Sequence, residues 1–110
     1  MQLKRTTVEA NPSGRLENIV AQELIARGYS VKVGVLRDAE IDFVAERDGN
    51  RLYIQVAYKI DSDETLEREL SAFNRINDHY QKILLTTDSQ DFSQNGIKHF
   101  NVVPWLLGNR

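Results

Sequence analysis

The sequence predicts one α/β domain built on a mixed β-sheet. Two segments carry apolar residues at helical spacing, and five shorter runs are rich in β-formers. Their order is α-β-β-β-α-β, then a further β and a short α. The first three strands follow one another through short connections, which suits an antiparallel meander. A helix precedes the fourth strand, which sets that strand parallel to the third. At 110 residues the chain suffices for one domain and not two.

Residues 1–12 show weak periodicity and end in the turn signal Asn11-Pro12. They read as a tail, or as a remnant of a longer chain, ahead of an α/β domain over residues 13–110. Ser13 is placed to cap a helix from about Gly14 to Arg27, with Leu16, Ile19, Val20 and Leu24 on one face and Gly28 as its stop. Ser30 to Val35 reads as the first strand. Glu40 to Glu46 reads as the second, with Ile41, Phe43 and Ala45 on one face and Asp42 and Val44 on the other. Asp48-Gly49-Asn50 is a hairpin turn. Arg51 to Tyr58, apolar on both faces, suits a central strand.

Asp61 and Glu64 have capping-box spacing at the start of a second helix, whose stripe is Leu66, Leu70 and Phe73, extended by Ile76. Lys82 to Thr87 is the fourth strand and residues 88–96 a polar loop. Lys98 to Val103 is the fifth strand, and Pro104 opens a short helix carrying Trp105, Leu106 and Leu107.

Composition narrows the function classes. The chain is 41% hydrophobic and 27% charged, an ordinary globular balance. Without cysteine it has no disulfide, thiolate metal site or cysteine nucleophile. Met1 to Glu9 lack the apolar run of a signal peptide. No stretch reaches the roughly 20 apolar residues of a membrane span. The expectation is a cytoplasmic protein with no membrane partner. A net charge of −2 and scattered Lys and Arg give no overall field to attract nucleic acid.

The chemistry-bearing residues lie around the second and third strands. Glu40-Ile41-Asp42-Phe43-Val44 places Asp42 on one strand, and Tyr53-Ile54-Gln55-Val56-Ala57-Tyr58 places Gln55 on the next. Glu17 lies at the edge of the first helix's apolar stripe. Strand alternation puts residues 55, 57 and 59 on one face. Each residue also has a plain structural role open to it: Asp42 a solvated edge, Gln55 a hydrogen-bonded core amide, Glu17 a helix-surface acid. His79 and His99 have no partner at metal-ligand spacing and read as structural. Trp105 suits a core plug, and the acidic start of the second helix complements its dipole.

This layout resembles the restriction-endonuclease-like, PD-(D/E)xK, nuclease fold. That resemblance implies an Asp on the second strand, an acidic residue and a Lys two positions later on the third, and in many subfamilies a Glu from the first helix. Asp42 and Glu17 match. Gln55 stands at the acidic position, where some members use Gln, and Ala57 stands where the Lys belongs. Lys59 is a displaced substitute on the same predicted face. Carried over, the resemblance implies Glu17, Asp42 and Gln55 as metal ligands converging on one concavity, and Asp42, Gln55 and Lys59 as catalytic residues. Mg²⁺ would bind weakly, and no cofactor would be required.

A second likeness runs through Gly14-Arg15-Leu16-Glu17-Asn18, Glu23-Leu24, Arg27-Gly28-Tyr29, the two strand motifs, Arg68-Glu69-Leu70 and Gly96-Ile97-Lys98. In order and over residues 14 to about 107, these resemble the C-terminal domain of a family of bacterial and archaeal AAA-type ATPases, itself nuclease-like in fold. In that domain a Gln at the third-strand position with a small residue two later is typical. No Gly-x-x-x-x-Gly-Lys-Ser/Thr sequence occurs here, so this chain has no P-loop device for ATP. The resemblance implies an excised domain or a stand-alone relative.

The leading expectation is a nuclease-fold module with a degenerate site, binding DNA or a protein such as an ATPase domain. The first alternative is an active Mg²⁺-dependent endonuclease using Glu17, Asp42, Gln55 and Lys59. The second is an interaction domain with Trp105-Leu106-Leu107 at its interface. Sequence does not set the oligomeric state.

Overall fold

The computed structural model describes residues 1–5 and 12–108, with the backbone alone for Pro12 and Ser13. Its elements are β1 (Gln2–Arg5), α1 (Pro12–Ala26), β2 (Ser30–Val35), β3 (Glu40–Arg47), β4 (Asn50–Val56), α2 (Asp63–Ser71), a 3₁₀ turn (Phe73–Arg75), β5 (Gln81–Thr86), β6 (Ile97–Asn101) and α3 (Val102–Leu106). The strands form one six-stranded sheet in sequential order, β1 to β6. The pairs from β1 to β4 are antiparallel, and those from β4 to β6 are parallel. This is the expected mixed α/β sheet, with a strand added at its front edge.

That added strand corrects the reading of the first residues as a tail. Gln2 to Arg5 pair in register with Val35 to Lys32. Four residues with one half-buried side chain, Leu3, are too short to leave a period-2 signal. The first helix begins at Pro12, ahead of the expected Ser13 cap, whose side chain lies outside the described residues.

The two faces of the sheet bury separate cores. Phe43, Ala45, Ile54, Val56, Ile83 and Leu85 pack under α1 and α3, against Val20, Leu24, Val102 and Trp105. Val44, Tyr53, Leu84 and Ile97 pack under α2 and the 3₁₀ turn, against Leu70 and Phe73. Trp105 is a core plug at 1% exposure, not an interface residue. Ile19 departs from its expected place on the apolar stripe and is 49% exposed. The stripe is Leu16, Val20, Ala21 and Leu24.

Local chemistry sets the ends of the elements. Tyr29 N–H donates to Leu24 C=O and Gly28 N–H to Ile25 C=O, while Gly28 has φ +90°. That is a Schellman termination of α1, which requires the left-handed conformation glycine adopts without strain. Asp48 and Gly49 both have positive φ, so β3 and β4 are joined by a two-residue turn of the type that matches strand twist. The α2 cap is Ser62 rather than Asp61. Ser62 is extended, and its hydroxyl accepts from Thr65 N–H. Asp61 instead accepts from the Thr65 hydroxyl at 3.1 Å. Pro104 lies in the first turn of α3 as expected, and Asn101, whose side chain accepts from Val103 N–H, is its cap.

One irregularity positions the candidate site. Between Lys32↔Val44 and Gly34↔Ile41, β3 advances one residue more than β2. This bulge breaks the expected alternation: Ile41 joins Val44 on the α2 face, while Phe43 and Ala45 stay on the α1 face. Asp42 sits inside the irregular stretch.

Candidate functional site

The β3–β4 ladder runs only from Arg47↔Asn50 to Phe43↔Ile54. Beyond Phe43 the strands separate, leaving backbone N–H groups that need acceptors. Side chains supply them. Gln55 Oε1 accepts from Asp42 N–H at 2.7 Å, and Asp42 Oδ2 accepts from Val56 N–H at 2.9 Å. Gln55 Nε2 points to the Glu40 and Glu69 carbonyls at 3.5 and 3.4 Å, so its amide bridges β3 and α2. Gln55 is 5% exposed. The structure thus joins Asp42 and Gln55 directly.

Glu17 acts on this point from α1, in the other layer. It is half-buried on α1, and its negative charge is among those acting on Asp42. Burial pushes the Asp42 carboxyl up to about 7. The Val56 N–H works against that shift, and the charges of Glu17, Glu69 and Glu40 add to it. Burial also raises the Glu69 carboxyl. Glu69 belongs to this cluster although the sequence reading did not single it out. Its signal was its place beside Leu70 and one helical turn after Leu66, which turns it toward the sheet.

The other two positions are elsewhere. Ala57 is buried and continues the ladder through its N–H to Leu85 C=O at 3.0 Å. It presents a methyl group where the nuclease resemblance expects a cation. Lys59 is exposed and lies past the end of β4 at Val56. The alternation that grouped it with residues 55 and 57 therefore does not carry to it. Its neighbour Ile60 is buried, with its N–H held by Asp88 Oδ2 at 2.8 Å.

As they stand, these residues do not fit a Mg²⁺ ion. Such an ion needs a near-octahedral set of hard oxygens and gives up water reluctantly. Here the Gln55 oxygen and one Asp42 oxygen already serve backbone donors, and Asp42 favours its neutral form up to about pH 7. Among the described residues, no group of three or more His, Cys, Asp or Glu side chains is placed to hold a metal.

The histidines have separate settings. His79 is exposed and stacks on Tyr80 with ring centroids 4.4 Å apart. His99 is buried. Its Nδ1 accepts from Phe92 N–H at 3.1 Å, which leaves the proton on Nε2, 2.7 Å from the Thr86 hydroxyl. Ser93 Oγ accepts from His99 N–H at 2.8 Å. His99 thus anchors the loop over residues 87–96 that connects the parallel strands β5 and β6.

A family profile described as a domain of unknown function, DUF4143, matches residues 14–107. An uncharacterized protein of Haemophilus influenzae is 44% identical over 99 residues, covering 89% of this chain. The chain spans about a quarter of that relative's length, 24%. No solved structure matches. Among the described residues, no helix is long and apolar enough to cross a membrane.

Proposed function

We propose that this chain, which belongs to the DUF4143 family, is a nuclease-like module whose catalytic position has become a structural joint, and that it serves as a protein-docking accessory domain. The observation that carries this reading is the reciprocal pair at Asp42 and Gln55. The two residues that would ligate a metal satisfy the backbone where β3 and β4 part. The absence of a cation at Ala57 points the same way. The relative's extra length leaves room for the ATPase domain that the sequence likeness implies, and docking to such a domain is the partner proposed.

A protein partner is favoured over DNA by the charge of this face. The negative charges of Glu17, Glu69 and Glu40 all bear on Asp42, whereas a phosphate backbone needs Lys and Arg. The test combines two measurements on the full chain. Duplex and branched DNA are titrated across a salt series, and plasmid cleavage is assayed with Mg²⁺ and Mn²⁺. Expected are binding no tighter than non-specific, roughly 10⁻⁴ M, and no cleavage. Submicromolar DNA binding with a steep salt slope would establish the DNA-binding alternative. Cleavage lost on Asp42→Ala would establish the endonuclease alternative that uses Glu17, Asp42, Gln55 and Lys59.

A further inference from the structure

The outer edge of β2 has features of a site for an added strand. Gln2 to Arg5 lie outside the span matched by the family, residues 14–107, yet they pair in full register along that edge. Leu3 stands opposite Gly34 and is partly buried against the α2-side core. Met1, two residues before it, falls on the same face. A Cβ on Gly34 would come within 2.7 Å of Met1 Sδ, 2.9 Å of Val44 Cγ2 and 3.1 Å of Ile41 Cβ. Gly34 is therefore a notch that lets an apolar side chain lie across the strand. The edge selects a segment with apolar residues at alternate positions, followed by a base: Lys4 Nζ is 3.1 Å from Glu40 Oε2.

The strand seated there is held loosely. Only Leu3 is partly buried, and Met1 is 50% exposed. The Lys4–Glu40 pair is more than half exposed at both ends, and such pairs contribute little. Arg5 stands directly opposite Lys32, a like-charge pairing that weakens the register. An edge that recognises a strand by backbone pairing and alternate side chains, with a weakly held occupant, is the arrangement used for strand addition and exchange.

We propose that the β2 edge is a strand-docking site, filled here by the chain's own Gln2–Arg5 and able to take the same segment from a second copy of the chain. The second copy is the occupant because its segment has the pattern the notch already accommodates. The chain has no cysteine, which permits a direct test. Gln2 faces Val35 across the pair. Copies carrying Gln2→Cys and copies carrying Val35→Cys, differently tagged, are mixed and oxidised. About millimolar concentration is needed, because the tethered strand competes at an effective concentration of that order.

Exchange predicts a mixed disulfide at least tenfold more abundant than with Ser89→Cys in place of Val35→Cys. An excess of blocked Met-Gln-Leu-Lys-Arg-Thr peptide should suppress it. A version with Met and Leu moved one position, onto the opposite face, should not. Equal cross-linking to positions 35 and 89, or none to 35, overturns the proposal. Hydrogen exchange on the unmodified chain gives an independent reading. The β1–β2 amides should exchange at least 100-fold faster than those between β3 and β4, and equal protection of both ladders would make β1 a fixed part of the core.

Discussion

The side-chain oxygen of Gln55 accepts a hydrogen bond from the backbone N–H of Asp42, and Oδ2 of the Asp42 carboxyl accepts one from Val56, the residue after Gln55. Each residue completes the other's strand where the β3–β4 ladder stops. A polar pair of this kind tolerates loss of one partner poorly, because the remaining donor stays buried and unpaired.

Gln55→Ala should therefore cost about 1–3 kcal/mol for the stranded Asp42 N–H, together with a cavity at a 5%-exposed site. Gln55→Glu keeps the acceptor but loses the donor to the Glu40 and Glu69 carbonyls, and it sets a second carboxyl beside Asp42. It should be the more pH-sensitive of the two, weakening as pH rises. Urea unfolding at pH 5 and pH 8 checks both. A Gln55→Ala loss below about 0.5 kcal/mol would show that water replaces the amide.

Asp42 should make stability fall with rising pH. Its carboxyl ionises near 3.8 when unfolded but near 7 in the fold. Its contribution is whole below pH 3.8 and declines as pH rises through about 7. The gap between those values corresponds to roughly 4 kcal/mol. Asp42→Asn keeps an oxygen for Val56 N–H and removes the titration. At pH 8 the variant should be about 2–4 kcal/mol more stable than the wild type, and near pH 4 the two should coincide. Unfolding free energies measured from pH 4 to 8 decide it, and parallel curves would remove the burial argument.

The physics of each element explains how much the sequence disclosed. β2, β3 and β4 were legible because alternation, β-formers and an Asp-Gly turn agree over whole strands. α1 ended where Gly28 predicted. β1 was hidden because a four-residue edge strand with two charged residues carries no period. The face assignment of Ile41 failed because a bulge shifts parity without marking the sequence. At the site, Asp42 and Gln55 were found by their places on adjacent strands. Their mutual hydrogen bonds were not, since those depend on where β3 leaves β4. Lys59 was grouped with them by extending alternation past Val56, where the strand ends.

His99 should act in the opposite direction to Asp42. Burial lowers its pKa from the unfolded value of 6.5, and its Nδ1 must stay unprotonated to accept from Phe92. Its contribution is whole above pH 6.5 and is lost as pH falls below that value. The effect should centre on the loop over residues 87–96. The Phe92 amide, which donates to His99, should lose hydrogen-exchange protection as pH falls below 6.5, after correction for intrinsic rates, while β3 and β4 hold theirs. His99→Phe should abolish this pH dependence and cost about 1–3 kcal/mol by stranding the Phe92 N–H. A loop insensitive to both changes would show that it is held by other bonds.

Catalysis gives the sharpest test of the degenerate-site reading, and it turns on Ala57. Removing one preorganised donor from an active site commonly costs about 10²–10³ in rate, and Ala57 offers neither charge nor donor. Read from sequence alone, Ala57→Lys should raise cleavage, with Gln55→Glu adding to it by strengthening metal binding. The structure sets a second requirement, because Asp42 and Gln55 remain tied to the backbone when only residue 57 changes. In plasmid cleavage with Mg²⁺ or Mn²⁺, the wild type should be inactive and Ala57→Lys should rise less than about tenfold above background. Adding Gln55→Glu keeps the acceptor for Asp42 N–H but replaces the amide nitrogen that faces the Glu40 and Glu69 carbonyls with a second carboxylate oxygen open to a metal, so the double variant should gain a further 10²-fold or so. That gain should vanish with Asp42→Ala. Wild-type cleavage abolished by both Asp42→Ala and Lys59→Ala would replace this reading with the active-endonuclease one. A folded double variant with no gain would place the drift of the site beyond residues 55 and 57, with the fold over Glu17 and Glu69 the next place to look.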